Sequence, residues 1–304
     1  MNGILLVDKP SDWTSNDVVQ KLRGLLRERR IGHAGTLDPM ATGLLTVFVG
    51  RATRAVEFAE ADAKCYRAAL RLGLTTDTQD ITGTVLRQQE PDVTREALEE
   101  VLEHFRGEIR QVPPMYSAVK VNGERLYKLA RRGETVERAS RSVTIHSLEL
   151  LGREGEDWIL EIRCSKGTYI RTLCQDIGEA LGCGGCMAAL RRLEAGCFTV
   201  GEAHTLEEIA EAASEGRAET LLLPTDTLFR DVPAETVGSA AEKRVRNGNP
   251  FRTSKPDGTL RLYSETGEFL ALARAETESA ARSNPFSRFN QHERELQSGS
   301  ARLF

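Results

Sequence analysis

The sequence predicts a mixed α/β or α+β protein of about two domains, and three observations lead there. Its 304 residues suit two cores better than one. Apolar runs of strand length alternate with helical patterns, but without the strict strand–helix–strand order of a parallel α/β fold. Finally, an acidic helical stretch and Pro224 place a boundary near residue 225, beyond which alternating, turn-rich sequence predicts a small β-rich unit.

Residues 3–8, GILLVD, predict a buried strand closed by Lys9-Pro10. Ser15 is placed to cap a helix through residue 26, with Val18, Leu22 and Leu25 at helical spacing. After a glycine-rich loop, LLTVFVG (44–50) and YRAALRLGL (66–74) predict strands, and TTDTQDITG (75–83) is turn-rich. Thr94 caps a helix whose stripe is Leu98, Val101, Leu102 and Phe105, with Gly107 as its stop. Pro113-Pro114 breaks regular structure before a segment whose middle, RLYKLARRG, is helical. VTIHSLELL (143–151) and DWILEIRC (157–164) predict two strands joined by the REGE turn, then a helix from about Tyr169 with Ile170, Leu173, Ile177 and Leu181 on one face. An acidic helix is expected at 205–220 and a hairpin at Glu265–Gly267, and from 279 onward low periodicity and high polarity predict a mobile tail.

The net charge of −4 and pI near 5.9 argue against a protein that coats nucleic acid indiscriminately, and the mean hydropathy of −0.36 is that of an ordinary globular chain. The charge is uneven. Residues 118–141 carry seven Lys/Arg against three Glu, and 21–30 five against one, whereas 202–224 carry six acids and one Arg. Basic segments of this size can neutralise several phosphates, although each also reads as a solvated helix face. No apolar run approaches the length of a membrane span, and MNGILLVDKPSDW lacks the features of a secretory signal, so a cytoplasmic protein is expected. Six cysteines in a chain of this size are expected to stay reduced. Cys183-x-x-Cys186 has no second ligand pair at zinc spacing, and no metal is expected. There is no P-loop, GxGxxG, HExxH or GxSxG, which leaves nucleotide hydrolysis, hydride transfer and serine-type hydrolysis without support.

Residues 32–45, GHAGTLDPMATGLL, set one acid, Asp38, among small residues. Asp followed by Pro can simply open a short helix. Against that, Gly32, Gly35 and Gly43 crowd one window, as they do where backbone bends sharply or approaches something closely. Two other stretches could meet this loop: DAKCYRA (62–68) and CSKGTYIRTL (164–173).

Taken in order, NGILLVDKP, GHAGTLDPMATGLL, KCYRA, VPPMYSAVK and SKGTYIRTLCQDIGEALG resemble the bacterial TruB family of tRNA pseudouridine synthases over about residues 2–200. NGNPFRT and its surroundings more weakly resemble the PUA-type RNA-binding module of such enzymes. The resemblance implies a pseudouridine-synthase fold: a large mixed sheet flanked by helices, with a small C-terminal β-rich PUA-like domain. The implied division is 1–225 catalytic, with 118–141 an RNA-clamping insertion, 226–278 PUA-like, and 279–304 tail. The implied reaction flips the uridine at position 55 of the tRNA T loop, cuts its glycosidic bond, rotates the uracil and rejoins it through C5. By motif, Asp38, Tyr66 and Arg171 match the catalytic positions; His33, Tyr66, Tyr169 and Leu190 match positions that hold the substrate. Lys120, Lys128, Arg131 and Arg132 are the expected RNA contacts of the clamp. No cofactor, no metal, no membrane and no obligate protein partner are implied; tRNA is the partner and a monomer is expected.

The chemistry of the residues is compatible with those roles. A sugar carbon losing its base develops positive character and calls for a nearby carboxylate, as nucleophile or as base toward the sugar. One acid suffices, because nothing is hydrolysed and the leaving group is also the incoming one. A guanidinium fork can bond both carboxylate oxygens and hold their orientation. An aromatic such as Tyr66 can stack on the everted base, and flipping costs a few kcal/mol that RNA contacts must offset.

Overall fold

The computed structural model describes residues 1–60, 63–121, 123–275 and 301–303. The chain enters through β1 (Gly3–Lys9) and α1 (Ser15–Leu26), then β2 (Ile31–Ala34) and β3 (Thr42–Val49), then α2 (Val56–Glu60) and β4 (Lys64–Leu72). A hairpin of β5 (Leu74–Thr76) and β6 (Val85–Gln88) precedes α3 (Arg95–Glu103) and β7 (Gly107–Gln111). The basic segment folds as a miniature hairpin, β8 (Lys120–Val121) and β9 (Glu124–Arg125), and one short helix, α4 (Leu126–Arg131). Then come β10 (Arg141–Glu154), β11 (Asp157–Cys164), α5 (Ile170–Ala180), β12 (Gly185–Ala195), β13 (Phe198–Thr199) and α6 (Leu206–Ser214).

These strands form one mixed sheet in the order β1-β3-β12-β4-β11-β10-β7, with β2 and β13 paired to β3 and β12 off that path. Among the described residues every pairing in it is antiparallel except β12 with β3, which meet at Arg191↔Thr42 and Arg192↔Gly43. Strand alternation sends successive side chains to opposite faces. Leu5, Val7, Leu45 and Val47 pack with Val18, Val19 and Leu22 of α1 and Ile209 of α6. Their neighbours Ile4, Leu6, Leu44 and Phe48 face the other way, against Phe198, Phe229 and Leu272. Farther along the sheet, Leu70, Leu160 and Met187 bury against Leu98 and Leu102 of α3 and Ile170, Leu173 and Ile177 of α5. The buried helix and sheet faces thus coincide with the periodicities of the sequence.

Several boundaries differ. The cap of α1 is Thr14, not Ser15: its hydroxyl accepts from the Asp17 N–H while the Asp17 carboxylate accepts from the Thr14 N–H, a closed capping box. Ser15 is drawn inside instead, toward the Leu37 backbone. The Thr94 helix ends at Glu103 with His104 as C-cap, and Gly107 opens β7 rather than stopping the helix. The acidic helix is α6 alone; Ala218–Leu221 form a 3₁₀ turn. Periodicity assigns no element to β12. GCMAALRRLEA is rich in helix formers, yet it is an eleven-residue strand, because the gap between β3 and β4 can only be filled by a paired strand.

Past a 3₁₀ turn at Thr225–Phe229 lie β14 (Ala234–Thr236), α7 (Ser239–Arg246), β15 (Gly258–Tyr263) and β16 (Phe269–Ala275). Val237, Val245, Leu260, Leu262 and Leu270 form their core. The hairpin falls at Ser264–Glu268, around the expected Glu265–Gly267. Helix α7 has no counterpart among the expected elements: with Val245 its one fully buried side chain, it has almost no apolar stripe to read. The tail expected from 279 lies outside the described residues except for β17 (Ala301–Leu303), which pairs with β16 as a fourth strand.

Candidate active site

Asp38 sits in the link between β2 and β3, and the backbone groups around it are tied down. Pro39 O accepts from Lys9 Nζ at 3.0 Å and from the Asp12 N–H at 2.9 Å. The Leu37 N–H donates to Ser15 Oγ at 2.9 Å, and that hydroxyl faces Leu37 O at 3.2 Å, which is why Ser15 is buried rather than capping. The Ala41 N–H donates to Asp38 O at 3.1 Å. Asp38-Pro39 therefore opens a tight turn, not a helix, because β3 begins at Thr42. The Asp38 side chain keeps 36% of its exposure while its neighbours are fixed.

Two of the three glycines in this stretch have a structural requirement. Gly43 has φ +95°, and a Cβ there would lie 2.3 Å from Arg192 O. Gly35 has φ +72°, and its Cβ would lie 3.2 Å from an Arg192 guanidinium nitrogen. Gly32 has ordinary φ, and a Cβ there would make only ordinary contact, at 3.9 Å, with the Thr53 and Val56 methyls. Arg192, 1% exposed, donates to Leu44 O at 2.6 Å and Gly35 O at 3.0 Å and so fastens the loop to β12.

Arg171 is the second residue of α5 and is 4% exposed. Its Nε donates to Asp38 Oδ2 at 2.8 Å and its Nη2 to Asp38 Oδ1 at 3.2 Å, a bidentate pair. Nη1 donates to Thr78 O at 2.9 Å and Nη2 also to Tyr116 O at 2.8 Å. Asp80 Oδ2 lies 3.9 Å from Nε; its other oxygen accepts from the Thr78 and Thr82 hydroxyls and the Thr82 N–H. One guanidinium therefore joins the Asp38 loop, the 75–83 turn and the foot of the basic segment. The start of α5 is itself held by buried Gln111, whose side-chain amide accepts from the Tyr169 N–H at 3.0 Å and donates to Tyr169 O at 3.2 Å.

Tyr66 comes from β4, in register with Arg192 on one side and Ile162 on the other. It is 8% exposed and packs in one cluster with Leu37, Ile170 and Leu190. Burial pushes its phenol up, against the lesser influence of the Arg192 guanidinium. Leu190 pairs with Ala68 and lines a hollow of about 510 Å³ with Met40, Thr42, Ile81 and Thr82. Tyr169 lies under the Arg141 guanidinium, 4.6 Å from its ring centre. His33 is on strand β2, paired with Val47, and not on a loop as expected. Burial, then the Arg192 charge, lowers its pKa, and its Nδ1 has no partner among the described residues.

The structure thus brings Asp38, Tyr66 and Arg171 together, with Leu190 and Tyr169 alongside. Lys120, Lys128 and Arg131 lie on the basic segment, Arg131 at 5.6 Å from the Tyr127 ring centre. Arg132 differs: it forks onto Glu124 at 2.6 and 3.1 Å and onto Glu134 at 2.6 Å, bracing the segment internally. Sequence reasoning misses Lys9, Asp80, Gln111 and Arg192. Lys9 lies inside the NGILLVDKP motif, but a lysine beside Asp8 at a strand end reads as exposed and gives no sign of its burial. It is 0% exposed and also donates to Pro10 O at 2.9 Å and Trp13 O at 2.6 Å. Burial brings its pKa down to about 8, with Asp12 and Asp38 opposing.

No cluster of three or more His, Cys, Asp or Glu among the described residues is arranged around a metal-sized site, and no described helix is long and apolar enough to cross a membrane. Cys183 and Cys186 are buried in the core.

Comparison with known proteins gives the family and the fold. The profile described as TruB family pseudouridylate synthase (N terminal domain) matches residues 23–170, and that of the tRNA pseudouridylate synthase B C-terminal domain matches 171–230. A tRNA pseudouridine synthase B of Azoarcus sp. (strain BH72) is 47% identical over 275 residues, covering 90% of each chain. The protein of that name from Pseudomonas fluorescens (strain Pf0-1) is 46% identical over 279 residues, covering 90% of this chain and 91% of its own. Among solved structures, a chain of a Cbf5–Nop10–Gar1 complex superposes with a TM-score of 0.71 at 25% identity, over 99% of this chain and 84% of that one. A chain of an H/ACA ribonucleoprotein bound to a substrate RNA containing 2′-deoxyuridine gives 0.68 at 24% identity, over 92% and 80%.

Proposed function

The chain belongs to the TruB family of pseudouridylate synthases, and from that premise we propose that it isomerises the uridine at position 55 in the T loop of tRNA, as a single chain in the cytoplasm and without a cofactor. The observation that carries this reading is the two-point hold of buried Arg171 on the partly exposed Asp38 carboxylate. Such a fork fixes both oxygens and leaves their open side for an incoming sugar. Asp38 serves the glycosidic carbon, as nucleophile or as base toward the ribose, while the uracil is detached, turned and rejoined through C5.

Tyr66 stacks on the everted uracil. Its buried phenol stays protonated, which suits a stacking and donating role better than that of a free base. Tyr169 and Leu190 line the base pocket and His33 props the opened loop. A base within the folded elbow must leave its stack to reach Asp38, at a cost of a few kcal/mol. Lys120, Lys128 and Arg131 offset it through phosphate contacts, with Arg132 bracing the segment that presents them. The relatives named tRNA pseudouridine synthase B support tRNA as the substrate over any other RNA.

The test is incubation with an unmodified tRNA transcript and mapping of pseudouridine at single-nucleotide resolution. One new pseudouridine at position 55 is expected; modification at another site, or none, overturns the assignment.

A further inference from the structure

A second feature adjoins the Asp38 loop, and it is cationic. A basin of about 490 Å³ is lined by Gly35, Lys64, Arg141, Lys166 and Gly167, with Glu57 as its one carboxylate. Its two walls belong to the reaction's own machinery. Gly35 lies three residues before Asp38 in the chain, and Gly167 four before Arg171, so neither wall can be more than roughly 10–14 Å of extended chain from those residues.

Its cations are differently prepared. Arg141 is held in place: its guanidinium lies on the Tyr169 ring and Nη2 donates to Gly167 O. Yet its Nε is buried with no partner among the described residues, an N–H left without the hydrogen bond that burial normally demands. Lys166 is exposed and makes no ion pair or side-chain hydrogen bond among the described residues. This contrasts with arginines on β4, β11 and β12, which are paired: Arg67 with Glu161, Arg71 with Asp157 and Glu156, Arg163 with Glu194 and Arg191 with Asp8. The Arg141 Nε and the Lys166 ammonium therefore offer N–H groups without an acceptor among the described residues at the basin beside the site.

We propose that this basin is a phosphate subsite, built by Arg141, Lys166 and Lys64, that receives an RNA phosphate within one nucleotide of the uridine presented to Asp38. This rests on the reading above that the substrate is RNA. A phosphate supplies what the basin lacks: acceptor oxygens for the Arg141 Nε and for Lys166, and negative charge that outweighs Glu57. Because Arg141 also packs on Tyr169, which caps the helix carrying Arg171, phosphate binding fixes the backbone against the same element that orients the acid.

The experiment is a double-mutant cycle on binding. Tritium-labelled T-arm hairpins are made with a single neutral methylphosphonate at the linkage on either side of the target uridine, and each is bound to wild type and to Lys166→Gln, whose exposed side chain does not support the fold. For one linkage, neutralisation should weaken wild-type binding roughly five- to tenfold and Lys166→Gln binding far less. With unmodified RNA, Lys166→Gln should lower the slope of log Kd against log salt by about 0.7, one phosphate on a flexible strand. Arg141→Lys, which keeps the charge but not the fork, should show the same coupling in weaker form. Purely additive effects at both linkages, or no effect of either change, overturn the subsite. Production of pseudouridine from the unmodified hairpin is scored separately, so a protein that does not act on this RNA is distinguished from one that acts without the subsite.

Discussion

Arg171 and Asp38, 133 residues apart in sequence, are joined at 2.8 and 3.2 Å through one edge of the guanidinium, while the rest of that group holds Thr78 O and Tyr116 O. No other side chain could replace it. A lysine ammonium reaches one carboxylate oxygen well and cannot also span two carbonyls on different segments. Arg171→Lys should therefore lose at least about 100-fold in tritium release from C5-labelled uridine in tRNA, with the far-ultraviolet circular dichroism unchanged. Turnover within a few-fold of wild type would show that the fork is dispensable.

Asp38→Asn tests the acid itself. The amide is nearly isosteric and can still accept from Arg171 through its oxygen, so the loop should hold. What is lost is the charge on which bond cleavage depends. The variant should bind tRNA within a few-fold of wild type and release no measurable tritium; release at even about 1% of the wild-type rate would move the essential chemistry elsewhere.

The parts of this site that lie in continuous short motifs are legible in the sequence, and those made by tertiary pairing are not. Asp38, Tyr66 and Arg171 each sit in a compact pattern of turn, strand end or helix start, and the strands around them follow from alternation. Arg192 is hidden because β12 is written in helix formers and becomes a strand only between β3 and β4. His33 reads as a loop residue because glycines surround it, although only Gly35 and Gly43 need their conformation. Gln111, 0% exposed and 58 residues from the Tyr169 backbone it clamps, leaves no local signal at all.

Gly43→Ala measures how tightly β12 and β3 are pressed together. An added methyl would meet backbone, Arg192 O at 2.3 Å and Arg192 N at 2.8 Å, at a φ of +95° that alanine disfavours. Neither obstacle can rotate away. The substitution should cost on the order of 3 kcal/mol or more, seen as a large fall in the urea midpoint of unfolding. A change below about 0.5 kcal/mol would mean that the two strands part easily.

Lys9 makes stability pH-dependent in a direction opposite to that of a buried neutral acid. Its folded pKa, about 8, lies below the ordinary 10.5, with burial the main cause. Below about 8 both folded and unfolded chains carry the proton, and the penalty of the buried charge is complete. Between about 8 and 10.5 the unfolded chain keeps a proton that the folded one has released, so this contribution to stability rises with pH; above that window the penalty is gone. Relative to Lys9→Met, which has no such group, wild type should gain on the order of 2 kcal/mol between about pH 7 and pH 10. A difference that stays flat would place the Lys9 pKa near its ordinary value.

The basic segment should divide into residues that meet RNA and one that holds the others in place. Lys128 and Arg131 sit in the last turn of α4, whereas Arg132 is committed to Glu124 and Glu134. Reversing the first two, Lys128→Glu with Arg131→Glu, should weaken tRNA binding and lower the salt slope by about 0.7–0.9 for each phosphate no longer neutralised. Arg132→Gln should weaken binding too, but by loosening the hairpin, so the Glu124→Gln/Glu134→Gln double variant should have much the same effect although it removes negative charge. If that double variant instead tightens binding, as simple removal of repulsion predicts, then Arg132 is itself a phosphate ligand and the acids are competitors for it.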